Sequence, residues 1–247
     1  RTPVSISQVP ENLQHAVVAI EDERFYEHNG IDVRGILRAF VVGVTGGSFS
    51  EGASTITQQL LKNSVFTDWV SESSLIESFK RKFQEQYLAL ELEKNMEKTA
   101  SKSEVKQKIL EDYLNTINLG AGTYGVQAAA KRYFNKDLDT LTTGEAALIV
   151  GLIPAPGRYN PFANPKLAEQ RRDLVLQVMK EQGYIKQEEL EEAKKEPMPT
   201  RQTAAENKPG LYFIEHIRRI LEPKYGTETL WKGGLNIYTT VDIDQQT

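Results

Sequence analysis

The chain has 247 residues, enough for one large domain or for one domain plus part of another. A hydrophobic fraction of 39% supports a core, and a net charge of −4 excludes the usual basic, sequence-blind nucleic-acid binder, so any anionic ligand must be met by a local cationic cluster. The absence of cysteine excludes a disulfide framework, a thiolate nucleophile and cysteine-ligated zinc. No signal peptide and no apolar run of about 18 residues is present, so nothing in this stretch spans a bilayer. Arg1-Thr2-Pro3 reads as the interior of a longer protein, which leaves room for an anchor upstream.

In chain order, Leu13, Ala16, Val17 and Ile20 recur at helical spacing and predict a helix over roughly Glu11–Tyr26, stopped by Asn29-Gly30. A second apolar stretch runs from Ile36 to Val44. Gly46-Gly47-Ser48 breaks the pattern, and Ser48–Ala53 is expected to be mobile. Ser54 or Thr55 caps the next helix, with Ile56 and Leu60 on its buried face. Phe79, Phe83, Tyr87 and Leu90 predict a long helix over roughly Ser73–Lys94. Lys94–Ser103 is a polar connection. Val105, Ile109, Leu110, Tyr113 and Leu114 give another helix, and Val126–Phe134 and Gly144–Leu152 are helical and alanine-rich. Pro154, Pro156 and Pro161 mark a rigid loop. Leu167–Glu181 and Gln187–Lys195 are amphipathic helices. After the polar stretch Glu196–Pro209, the alternation of Leu235, Ile237, Thr239 and Val241 is a strand period. The body is overwhelmingly α, and no internal repeat is apparent.

Four polar clusters interrupt these helices. In the first, Glu21 to Gly30, a helix would bring Glu21, Phe25 and His28 to one face, an acid, an aromatic and an imidazole that suit a sugar site. The same residues also fit a charged helix end with a glycine stop. The second runs from Ser54 to Asn63, where Thr55, Gln58, Gln59 and Lys62 line one face and would suit a phosphate or diphosphate. A capped surface helix would look the same. In the third, Arg81-Lys82-Phe83-Gln84-Glu85, Arg81 and Glu85 form an i, i+4 pair. That is either an ordinary helix salt bridge worth about 0.3–0.5 kcal/mol or a guanidinium for phosphate oxygens beside a second carboxylate. The fourth, Lys106 to Asn115, is by itself an amphipathic helix. The G-x-G-x-x-G at Gly120–Gly125 follows a helix and not a strand, so it is no dinucleotide fingerprint. Ser103-Glu104-Val105-Lys106 fits S-x-x-K but lacks the S-D-N and K-T-G partners. Three histidines without metal spacing do not make a metal site.

Taken together and in this order, the clusters resemble family 51 glycosyltransferases, the glycan-polymerising domains of class A penicillin-binding proteins. That family's E-D-x-x-F-x-x-H-x-G falls on Glu21, Asp22, Phe25, His28 and Gly30. Its G-G/A-S-T-I-T-Q-Q falls on Gly52 to Gln59 and continues to Lys62-Asn63. R-K-x-x-E is Arg81 to Glu85, and K-x-x-I-L-x-x-Y-L-N is Lys106 to Asn115. A fifth motif, A-G-L-P-x-A-P-x-x-Y-N-P, is close to Val150–Pro161, with Val150 and Ile153 as mild departures. The match covers about Arg1 to Met198. The tail Gly233–Asp242 resembles the linker into a transpeptidase domain, so residues 1–198 read as the glycosyltransferase domain and 199–247 as linker and the start of a truncated following region.

The resemblance implies a mainly α, lysozyme-like domain with a smaller membrane-proximal lobe. It implies polymerisation of lipid II into β-1,4-linked glycan strands, with inversion at the anomeric carbon and release of polyprenyl diphosphate. Glu21 would be the base and Glu85 a second catalytic carboxylate that orients cations or binds a metal. Lys62, Arg81 and Lys82 would meet the diphosphate. Asp22, Phe25, His28, Ser54, Thr55, Gln58, Gln59, Asn63, Lys106, Tyr113 and Asn115 would complete the substrate site. Mg²⁺ or another divalent cation is the one cofactor implied; no organic cofactor and no nucleic acid are. The expected partners are lipid II, the growing strand, the membrane interface and other cell-wall synthesis proteins, at the outer face of the bacterial cytoplasmic membrane. Ile36–Val44, with Val33 and Phe49, is the candidate lipid-contacting surface, with Arg34 and Arg38 toward lipid phosphates; a buried helix is the alternative. Two rival functions remain open: a peptidoglycan-cleaving, lysozyme-like hydrolase using Glu21 as general acid, and a non-catalytic wall-binding module.

Overall fold

The computed structural model describes residues 3–38, 54–64, 75–120, 122–200 and scattered positions between 216 and 239. The chain forms two compact units, Arg1–Thr203 and Ala204–Thr247. In the second unit residues 216–217, 220–222 and 224–225 are helical. The expected strand over 235–241 and the expected mobile segment Ser48–Ala53 lie outside the described residues, apart from isolated positions of the former.

The first unit is built of helices: α1 (Glu11–Glu21), α2 (Ile56–Ser64), α3 (Leu75–Met96), α4 (Lys102–Thr116), α5 (Val126–Phe134), α6 (Thr143–Gly151), α7 (Pro165–Glu181) and α8 (Gln187–Lys195). Residues 33–38 are also helical, up to the edge of the described segment. Among the described residues there is no strand, only an isolated antiparallel bridge between Asn118 and Tyr124 in the loop joining α4 to α5.

Local chemistry sets the helix starts. Ser101 caps α4 and Thr142 caps α6, each completing a capping box with the glutamate three residues on, Glu104 and Glu145. Pro165 opens α7 at a position where its missing N–H costs nothing. The order of burial follows from composition. In α6 every residue from Ala146 to Gly151 is buried, so this helix is enclosed on all sides and packs against both α1 and α7. Leu13, Ala16 and Val17 of α1, Ile109, Leu110 and Leu114 of α4, and Val175, Leu176 and Met179 of α7 join it in one core. Arg172, 2% exposed, donates to the carbonyls of Lys194 and Glu196 and so ties the end of α8 to α7. Val4 and Asn115 exchange two hydrogen bonds, backbone N–H to Oδ1 and Nδ2 to backbone oxygen, which lash the N-terminal strap along α4.

Two expectations are corrected here. Helix α1 ends at Glu21 and not near Tyr26, because Asp22 leaves helical geometry (φ −161°, ψ 74°) to direct its carboxylate at another helix. Glu21, Phe25 and His28 therefore do not share a helical face. The second correction concerns α3. Phe83, Tyr87 and Leu90, the apolar period that predicts this helix, are 75%, 63% and 37% exposed. The opposite face, with Glu85, Ala89 and Glu93, points inward. The helix is turned by its carboxylates, which have cationic partners inside the protein.

Gly30 fixes how the Glu21–Gly30 turn meets α3. Its φ is +83°, and a Cβ there would lie 2.4 Å from the Ala89 carbonyl oxygen. No other residue fits so close an approach of two backbones with that φ. Its own carbonyl accepts from Thr55 Oγ1 at 2.7 Å, so three chain segments meet at this glycine.

Candidate active site

Glu21 is the last residue of α1, half-buried beside a cavity of about 110 Å³ whose lining includes Glu23, Arg24, Asp32, Arg38, Ser54, Thr55 and Gln182. Gln59 of α2 donates from Nε2 to Glu21 Oε2 at 2.9 Å. Gln59 Oε1 in turn accepts from the phenol of Tyr113 at 2.9 Å. Burial pushes the Glu21 pKa up; the Gln59 hydrogen bond and the positive charge of Arg171 offset part of the shift, and the neighbouring Asp22 charge adds to it. A half-buried carboxylate with a raised pKa at the wall of a cleft is a candidate for proton transfer.

Asp22 faces the other way. Both its oxygens accept from His28 Nε2, at 2.9 and 3.0 Å, and Oδ2 also accepts from the backbone N–H of Ile56 at 3.0 Å. That N–H is one of the orphan donors at the start of α2, where negative charge is favoured. Thr55 finishes the same helix end. Its N–H donates to Gln58 Oε1 and its hydroxyl accepts from the Gln58 N–H, a capping box built on glutamine.

The cations lie on α3. Glu85 is 4% exposed, and its two oxygens meet Arg81 Nε at 3.4 Å and Lys82 Nζ at 3.6 Å. Lys82 Nζ also donates to Ser54 Oγ at 2.5 Å, across to the head of α2. Lys62 and Asn63 are exposed at the far end of α2, with Lys62 three residues on from Gln59. Below this layer lies a fully buried ion pair: Lys106 Nζ contacts Glu93 Oε1 at 2.9 Å and Oε2 at 2.8 Å, and sits 4.6 Å above the Phe25 ring. Thr57 donates to the same Glu93. Burial pushes the Lys106 pKa down, and Glu93 and Asp22 counter it.

The structure thus divides the residues singled out in the sequence. Glu21 and Ser54 line the cleft, Gln59 and Lys82 bond to them, Arg81 and Lys82 share Glu85 on α3, and Lys62 and Asn63 are exposed on α2. The others are buried or bonded within the fold, although Asp22 and Thr55 also line the cleft. Phe25 and Tyr113 are 0% exposed, and Thr55, Gln58 and Lys106 each 1%. Asp22 and His28 are spent on each other and on α2, and Asn115 on the N-terminal strap. Missed in the sequence were Arg24, Arg171 and Gln182, and Arg38 was singled out only for lipid phosphates. Arg24 makes an ion pair with Asp32, and Arg38 one with Glu23, at the wall of the cleft. The Arg171-Arg172 doublet inside an apolar helix period was the available signal. Arg172 turns inward, while Arg171 lies over the Tyr159 ring and acts on Glu21.

The donor set does not suit a divalent cation at Glu85, because both carboxylate oxygens already face positive groups. Among the described residues no three His, Asp or Glu side chains converge on a metal-sized space. Nor is any described helix long and apolar enough to cross a membrane.

The sequence profile described as "Transglycosylase" matches residues 1–180 of this chain. The chain belongs to the transglycosylase family. Among similar proteins, penicillin-binding protein 1A of Aquifex aeolicus is 44% identical over 245 residues, covering 98% of this chain and 31% of that protein. Penicillin-binding protein 1A of Vibrio cholerae is 41% identical over 247 residues, covering all of this chain and 28% of its own length. The chain therefore spans less than a third of these relatives. The crystal structure of penicillin-binding protein 1A from Haemophilus influenzae superposes with a TM-score of 0.51 at 27% identity, over 93% of this chain and 22% of that one. The mainly α fold is accordingly that of a transglycosylase domain.

If Lys106 serves the transglycosylase scaffold, Lys106→Ala leaves Glu93 charged, buried and unpaired. The expected cost is about 3–5 kcal/mol in urea unfolding. Unchanged stability together with weakened substrate binding would instead return Lys106 to the ligand-contacting set.

Proposed function

We propose that this domain polymerises lipid II at the outer face of the bacterial cytoplasmic membrane. One observation carries the reading: a half-buried carboxylate of raised pKa, Glu21, lines a cleft together with Ser54, and Ser54 accepts from Lys82, a cation that shares the buried carboxylate of Glu85 with Arg81. The 4-hydroxyl of the incoming disaccharide attacks the anomeric carbon of the growing strand. A C–O bond forms there, the bond to the diphosphate breaks with its electron pair, and Glu21 takes the hydroxyl proton. Arg81, Lys82 and Lys62 meet the charge that builds on the departing diphosphate. Glu85 keeps the first two spaced along α3, and Ser54 holds Lys82 toward the α2 side. A hydrolase of similar fold has no leaving diphosphate to neutralise and no use for this cation layer. Cell-wall synthesis partners fit the same setting.

Substrate access from a bilayer calls for an apolar rim. Val33 and Leu37 are 57% and 60% exposed, and Phe83, Tyr87 and Leu90 of α3 are exposed as well. Val33 and Leu90 line one cavity with Arg34 and Lys102, so apolar and cationic groups adjoin there, as an anionic lipid surface requires. Phe40 to Val44 and Phe49 of the expected lipid surface lie outside the described residues.

Glu21→Gln is expected to lower the rate of lipid II polymerisation by about 10²–10⁴-fold. It should not lower thermal stability. A carboxyl whose folded pKa is raised contributes stability that is present at low pH and lost as pH rises through that pKa, so removing the charge at neutral pH relieves a cost. Near-normal polymer yield from Glu21→Gln, or release of sugar fragments from finished strands by the wild type in place of polymer, overturns the reading.

Replacing Phe83 and Tyr87 together with serine removes two large apolar side chains from the rim without opening the core. Co-sedimentation with anionic liposomes should weaken roughly tenfold, with the helical circular dichroism unchanged. Undiminished binding by the folded variant would place the lipid contact elsewhere.

A further inference from the structure

Tyr113 is fully buried in α4, yet its phenol belongs to a chain of polar contacts that ends on the cleft carboxylate. We propose that Tyr113 is a positioning residue that selects which oxygen of Glu21 acts as the base, by locking the orientation of the Gln59 amide. This rests on the polymerase reading above.

A primary amide is nearly symmetric in shape, and nothing in its outline says which end is carbonyl and which is NH₂. Gln59 lies between two partners that remove the ambiguity. An ionised Glu21 only accepts hydrogen bonds, so it needs the NH₂ end. With that end committed, the carbonyl end turns to Tyr113, where a buried phenol can donate. The distances are 2.9 Å at both junctions. Burial and the negative charges of Glu21 and Asp22 hold the Tyr113 pKa well above its usual value, so the phenol keeps its proton throughout the working range. A flipped amide would set its carbonyl against the carboxylate and lose the phenol's proton as a partner. The phenol's O–H thus biases the amide from a position that no ligand reaches.

The consequence falls on Glu21. Oε2 is held by Gln59, whereas Oε1 has no hydrogen-bond partner among the described residues. Oε1 is therefore the oxygen left to accept the sugar's proton, with the carboxylate plane fixed by the bond to its sister atom. Such fixing matters because a reacting pair displaced by about an ångström loses much of its rate. Other charged groups set the background. Asp22 adjoins Glu21 in sequence and is bound to His28. Arg171 reaches Glu21 from α7, and Glu23, Arg24, Asp32 and Arg38 line the cleft. None of these bonds to Gln59, so Tyr113 is separable from them.

The test is Tyr113→Phe, which deletes one oxygen and keeps the ring in the core. Two readouts are needed: the kcat and KM of lipid II polymerisation across pH, and titration of the Glu21 side-chain carboxyl by ¹³C NMR, which requires no turnover. The expected result is a fall in kcat of about tenfold with KM unchanged. The Glu21 titration and the acidic limb of the rate profile should both move to higher pH, because the carboxylate loses a well-aligned donor. In a Gln59→Leu background the same substitution should add nothing, because the amide it acts through is gone. Wild-type kcat and titration in Tyr113→Phe would overturn the proposal. So would an equal loss with and without Gln59, which would mark Tyr113 as a packing residue. If the wild-type chain makes no polymer, the polymerase reading fails, while the NMR titration still decides whether Tyr113 governs Glu21.

Discussion

The carboxylate of Asp22 joins three parts of the chain that are distant in sequence. It ends α1 by turning away from helical geometry, receives the N–H of Ile56 at the head of α2, and receives His28 from the loop that follows. A buried, 6% exposed carboxylate is tolerable only when its lone pairs are filled, and here both oxygens are occupied. The geometry of the cleft follows from this bond. With α2 anchored at Ile56, its fourth residue Gln59 reaches Glu21, and Ser54, just upstream, reaches Lys82. Glu21, next to Asp22 in the chain, is left at the open end of α1, where its carboxyl lines the cleft.

Helix α3 obeys the same logic with the usual polarity reversed. Its inward face carries Glu85 and Glu93, each matched by cations, and its outward face carries Phe83 and Tyr87. Turning the helix over would bury the aromatics and strand two carboxylates and their cations. Breaking one partner of such a buried pair costs about 3–5 kcal/mol, more than the roughly 1.5–3 kcal/mol gained by burying one exposed aromatic side chain. The outward aromatics and the cations paired with Glu85 are thereby carried on one helix.

Much of this was legible in the sequence. Helices α5 and α8 lie where their periodicity puts them, since alanine-rich and strongly amphipathic segments carry an unambiguous signal. Glu21 of the cleft was singled out, as were Gln59, which bonds to it, and Arg81, Lys82 and Glu85, and the i, i+4 spacing of Arg81 and Glu85 gave their contact directly. What failed shares one cause. Periodicity finds a helix but assumes that apolar residues face inward and polar residues outward, whereas here Phe83 and Tyr87 are outward and Lys106, Thr55 and Gln58 are buried. Two of these polar groups have a partner elsewhere in the chain: Glu93 for Lys106, the Gly30 carbonyl for Thr55. Long-range pairing of that kind leaves no local pattern. The early stop of α1 belongs to the same class, since Asp22 breaks the helix for the sake of Ile56, 34 residues away.

The central claim is that Asp22 serves the chemistry by assembling α2 against Glu21 and not by touching sugar. Asp22→Ala separates these roles when amide hydrogen exchange at Ile56 and the following turn of α2 is measured alongside the polymerisation rate. The account predicts that protection at the head of α2 and activity are lost together, while α6 and α7 keep theirs. Full protection across α2 in a variant that no longer makes polymer would contradict it, and would make Asp22 a group that meets the substrate directly.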